Sequence, residues 1–155
     1  MAHITSIVYQ PVDAEYGERL DYFIRQPVQA ATLIAGYGLE GDRKAGHHPD
    51  RQLNLLSASW LNHVKSLGYK TEPGAFGEQL IIGGLAVEEL AAGDRLVFED
   101  KTTIEIIKPR TGCSRLEIAQ GQSIQGIGYI GMLAKIITSG PIRVGAAVTV
   151  IPANE

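Results

Sequence analysis

The segment Ala91–Arg115, AAGDRLVFEDKTTIEIIKPRTGCSR, contains two apolar runs separated by Asp100-Lys101. The runs 95–99 and 102–107 are rich in aromatic and β-branched residues, so the pair predicts a hairpin turning at Asp100-Lys101. The second strand leads into KPRTGCSR, residues 108–115, which holds the chain's single cysteine, Cys113, among Lys108, Arg110 and Arg115. Cations close to a thiol favour the thiolate, the form that attacks electrophiles and binds soft metals. Free cysteine is also among the most buried residue types. The residues alone are therefore compatible with an inert core thiol and with a reactive thiol on a Pro109/Gly112 loop.

Outward from this hairpin, residues 3–9 alternate and are rich in Ile and Val, which predicts a first strand. Pro11 interrupts it, and residues 12–26 read as a loop. Residues 27–34, 52–56 and 80–82 are further strand candidates. After the cysteine, residues 127–137 are mostly apolar with Gly128 and Gly131 inside, as a bent barrel strand would be. Residues 142–145 then lead to a last strand over 147–151. Ser57 is placed to cap a helix in which Trp60, Leu61, Val64 and Leu67 recur at helical spacing before Gly68 ends it. That periodicity assigns Trp60 to the core rather than to a ligand platform. Residues 115–119 predict one helical turn. Many short strands, glycine-rich turns and one main α-helix predict a mainly β fold, a closed or partly closed β-barrel. The length of 155 residues suits a single domain over 1–155.

One cysteine excludes an internal disulfide framework and suits a reducing compartment, so a cytoplasmic protein is expected. The N-terminus lacks a basic segment followed by an apolar stretch, and no membrane association is expected. A formal net charge of -3 and a pI of about 5.8 speak against a nucleic-acid partner. Yet six of the 14 basic residues, Arg43, Lys44, Arg51, Lys108, Arg110 and Arg115, fall in two short windows. Brought together, these windows would form a cationic pocket for a small anionic cofactor or substrate; left apart, they are solvated charge runs.

The first window lies in GYGLEGDRKAGHHPDR, residues 36–51, which has the composition of a binding loop: Asp42, Arg43, Lys44, His47, His48 and Arg51 among four glycines. Adjacent histidines seldom face one ion, and no HxxxH spacing supports zinc. His47 and His48 are either surface histidines or anion contacts. Glu78, between Gly77 and the strand beginning at Leu80, is a candidate site carboxylate or a solvated strand-start residue. The chain has no GxxxxGK[ST] loop, no dinucleotide fingerprint and no GxSxG elbow. A thiol-imidazole pair of Cys113 with His47 or His48 is a minor option.

Five blocks occur in order: GLEGDRKAG (38–46), GAFGEQL (74–80), AAGDRLVF (91–98), KPRTGCSRL (108–116) and SGPIRVGAAVTV (139–150). Together, across about residues 28–151, they resemble the MOSC domain, named for the C-terminal part of molybdenum cofactor sulfurases, in its stand-alone bacterial form. The resemblance implies a β-barrel and makes Cys113 the functional cysteine, either ligating the molybdenum of a bound pterin cofactor or carrying sulfur as a persulfide. On matching positions Asp42, Arg43, Arg51, Glu78 and Arg110 would line the pocket, with arginines clamping the cofactor's phosphate. Gln79 stands where the family often has Asn, and Gly112 where it often has Pro. The implied functions are a reductase module for N-hydroxylated or similar small molecules, served by a redox partner, and a sulfur carrier. The carrier would be loaded by a separate cysteine desulfurase, which would hold any pyridoxal phosphate. A non-catalytic barrel that binds a small anion is the third possibility.

Overall fold

The computed structural model of the chain describes residues 1–11 and 25–154; all but the last two residues of the loop expected over 12–26 lie outside them. The described chain is mainly β with two α-helices. In order it forms β1 (His3–Tyr9), β2 (Gln26–Val28), β3 (Ala30–Ile34), β4 (Gly38–Leu39), β5 (Leu53–Ser57), α1 (Ala58–Ser66) and β6 (Leu80–Gly83). There follow β7 (Arg95–Phe98), β8 (Thr103–Pro109), α2 (Ser114–Gln120), β9 (Met132–Thr138), β10 (Gly140–Arg143) and β11 (Val148–Ile151).

Eight strands form one sheet in the order β11-β7-β8-β9-β5-β6-β1-β2, and β10-β3-β4 form a second. The expected hairpin is β7–β8, paired antiparallel from Arg95↔Glu105 to Val97↔Thr103. Its turn places Lys101 at φ 73. The ladders of the described residues do not close into a barrel. Near the N-terminal end of β1, however, an isolated bridge joins His3 to Ala147, just before β11, and Ile4 N–H donates to Ala146 O at 3.0 Å.

One pair, β5–β6, is parallel. Parallel neighbours need a crossover, and α1 supplies it. Ser57 caps this helix by accepting from Trp60 N–H at 3.1 Å. Because a helix covers one face and the second sheet's side chains pack on the other, all four residues of β6 are buried. Pleating separates them: Leu80 and Ile82 join Ile4, Leu33, Leu55 and Leu96 in the main core, while Ile81 joins Leu56, Leu61, Val64, Phe76 and Leu116 in a second cluster under the helices.

Four expectations are corrected. The run at 27–34 is not one strand but β2 and β3, which pair in different sheets. The segment at 142–145 does not simply lead on to the last strand; the chain over Gly140–Arg143 pairs with β3. The apolar stretch at 127–137 becomes strand only from Met132. The single turn expected at 115–119 is a full helix, α2, capped in left-handed conformation by Gly121. Trp60 packs edge-on against Phe76, ring centroids 5.1 Å apart. No helix among the described residues is long and apolar enough to cross a membrane.

Candidate functional site

The loop after β4 is fixed from behind by a carboxylate. Asp42 is buried; its Oδ1 accepts from Gln10 N–H at 2.9 Å and its Oδ2 from Gln79 Nε2 at 3.1 Å. Arg43 N–H donates to Gln10 O at 2.7 Å, closing the loop onto the end of β1. Gln79 also accepts from Asn54 N–H at 2.7 Å through Oε1. One amide thus joins β5, the start of β6 and the cationic loop. Gln79 stands where the family resembled often has Asn, and its side chain reaches both partners.

The cysteine loop is fixed in a similar way. Arg110 exchanges backbone bonds with the chain before β9: its N–H donates to Gly131 O at 3.1 Å and its carbonyl accepts from Ile130 N–H at 2.8 Å. The buried Arg110 guanidinium donates to Phe76 O. The turn holding that carbonyl is organised by Glu78, which accepts from Gly74 N–H at 2.5 Å and from Phe76 N–H at 3.1 Å. Burial pushes the Glu78 carboxyl above its usual range, against the opposing pull of these backbone donors. Asp42 and Glu78, expected in the pocket wall, therefore lie behind it and brace it.

Both windows meet at one open cavity of about 440 Å³, lined by Arg43, Lys44, Arg51, Arg110 and Arg115 together with His47, His48 and Cys113. Lys108, on β8, is not part of the lining. Cys113 is exposed, so the reading of an inert core thiol fails. Lys44 is exposed as a residue, yet its amine is lowered to about 8, chiefly by partial burial and then by the like charges of Arg25 and Arg110. Burial lowers Arg110 to about 10, with Cys113 and Glu78 opposing. Crowded, partly desolvated cations of one sign favour an anionic guest.

Gln10, Asn54 and Leu133 complete the lining and were not expected. Asn54 had a visible signal, an amide set between Leu53 and Leu55 in the run QLNLLS. No group of three or more His, Cys, Asp or Glu that could hold a metal ion occurs among the described residues.

The sequence model of the MOSC domain matches residues 42–149. The chain belongs to the MOSC domain family. Among related proteins, the uncharacterized protein YflK of Bacillus subtilis (strain 168) is 26% identical over 159 residues, spanning 94% of this chain and 71% of YflK. The crystal structure of YiiM from Geobacillus stearothermophilus superposes with a TM-score of 0.73 at 20% identity, over 97% of this chain and 75% of YiiM. The YUAD protein from Bacillus subtilis gives 0.71 at 16% identity, over 97% and 96%. At these identities the superpositions speak for a shared MOSC fold.

Proposed function

We propose that this MOSC domain binds an anionic pterin molybdenum cofactor in the cationic cavity and acts as a reductase module on N-hydroxylated or similar small molecules. The observation that carries this is the exposed Cys113 at a cavity lined by five cationic side chains. The donor set fits the group: a thiolate suits a soft metal, and arginines suit a phosphate. Arg43, Arg51 and Arg110 would hold the anionic part, with Lys44 and Arg115 adding charge and Cys113 ligating the metal. When bound, the cofactor supplies the two-electron chemistry. The chain's own part is to bind and orient: Asp42 ties the cationic loop to Gln10 and Gln79, Glu78 fixes the turn at Gly74–Phe76, and Arg110 is held by Phe76 O. Electrons would come from a redox partner, since the sequence carries no flavin or iron-sulfur motif. We also read the eight-stranded sheet, with its His3–Ala147 bridge, as a partly closed barrel, and the free thiol as that of a cytoplasmic protein.

The exposure of Cys113 equally supports a second reading, a carrier that accepts persulfide sulfur from a desulfurase. Elemental analysis decides between them after expression in a host that makes the cofactor. Stoichiometric molybdenum in the wild type and none in Cys113→Ser is expected. No metal in either protein would sink the reductase reading, and a one-sulfur mass gain on Cys113 after incubation with desulfurase and cysteine would establish the carrier.

A further inference from the structure

A second cavity adjoins the cysteine loop and differs from the first in chemistry. It measures about 280 Å³ and is lined by Thr111, Gly112, Ile124, Gln125, Gly128 and Tyr129, none of them acidic, basic or histidine. Gly112 lines this cavity and the next residue, Cys113, lines the first.

The groove is built rather than incidental. The backbone bonds between Arg110 and the Ile130-Gly131 segment hold the chain leading to Cys113 in register with the chain carrying Tyr129. Ile124 is fixed from α2, where Glu117 Oε2 accepts its N–H at 3.0 Å. A Cβ on Gly112 would stand 2.1 Å from Ile124 Cδ1, so the isoleucine occupies the space that a side chain at 112 would need. Gly112 and Gly128 thus contribute bare backbone, and Tyr129, 63% exposed, supplies an aromatic surface.

We propose that this groove binds a neutral planar ring carried by the molecule that reacts beside Cys113. The inference rests on the reading of Cys113 as part of the reacting centre. An anionic guest is drawn to the cationic cavity, whereas the groove offers no charge to compensate one. Its volume is close to the lower end of small-molecule sites, roughly 300–1,000 Å³. That suits one or two rings and is small for a macromolecular partner. A lining of bare glycine backbone and an exposed tyrosine favours a flat, polarizable group over a flexible chain.

The test is the alkylation rate of the one thiol, in which Cys113 gives its proton to the buffer, its sulfur forms a bond to carbon, and iodide leaves with the C–I electron pair. The full chain, expressed without cofactor synthesis, is treated with iodoacetamide, its N-phenyl derivative and its N-butyl derivative. The phenyl reagent is expected to react about tenfold faster than iodoacetamide, with saturation. Tyr129→Ala should bring the two within about twofold without changing the iodoacetamide rate, and Tyr129→Phe should retain the gain. Equal rates for all three reagents, a gain that survives Tyr129→Ala, or the same gain for butyl would each overturn the ring site. Alkylation needs no metal. A protein without molybdenum would sink the reductase reading and leave the groove standing, while a molybdenum-bearing protein with no phenyl preference would sink only the groove.

Discussion

Asp42 and Glu78 each accept two hydrogen bonds behind the cavity wall. An amide at 78 has only one accepting oxygen, so Glu78→Gln leaves Gly74 or Phe76 N–H facing another donor. Urea unfolding should show a loss of about 1–3 kcal/mol. Because Arg110 donates to Phe76 O, phosphate binding should weaken in the same variant; unchanged stability and binding would mean that Glu78 does not brace the turn. Lys44 makes a prediction about pH. Its amine is at about 8 in the folded chain against 10.5 ordinarily, so between those values the unfolded chain binds more protons. The contribution is therefore fully present above 10.5 and lost as pH falls through about 8. Stability measured from about pH 8 to 10.5 should rise more steeply in the wild type than in Lys44→Met. A reactive thiol and a cationic pocket were suggested by residue type and the clustering of basic residues, and the roles of Cys113 and the arginines by the resemblance to the MOSC domain. That Asp42 and Glu78 face inward was not legible, because a carboxylate beside a strand has the same local sequence whether it meets water or backbone donors.

At the scale of elements, Ser57 Oγ accepts from Trp60 N–H and donates to Glu88 Oε1 at 2.6 Å, joining the α1 cap to the turn at Val87–Glu89. Ser57→Ala should cost about 1 kcal/mol in chemical denaturation. Gly131 has φ 72, and a Cβ there would lie 2.0 Å from Leu55 O, a backbone atom of β5. Gly131→Ala must part β5 from β9 and should cost more than about 3 kcal/mol or prevent folding. A Cβ on Gly126 meets nothing within 4 Å, so Gly126→Ala should stay within about 0.5 kcal/mol. Helix α1 was legible because its cap and apolar stripe are local signals. The single turn expected after Cys113 grew into α2 because Leu116 is buried in the second cluster, a contact that spans the chain. The split of the 27–34 run into β2 and β3 was hidden for a similar reason: one continuous pattern serves two sheets, and partners rather than pattern decide where pairing changes.

Across the whole molecule, the two basic windows lie far apart in sequence yet line one cavity. Inorganic phosphate should therefore raise the melting temperature, by linkage to about 2.7 kcal/mol at a hundredfold excess over Kd. The effect should fade as Lys44 loses its proton above about 8 and be largely absent in Arg110→Met; equal stabilisation in that variant would place the anion elsewhere. The family was also legible, since five motif blocks in order were enough to suggest the MOSC domain that the match over 42–149 then showed. By itself the sequence determined the alternating strands, the capped helix and the cationic cysteine loop, because these depend on neighbours within a few residues. Only the tertiary structure decided that β5 and β6 run parallel, that the carboxylates brace the wall, and that an uncharged groove adjoins the thiol, because each depends on backbone segments brought together by burial of the core.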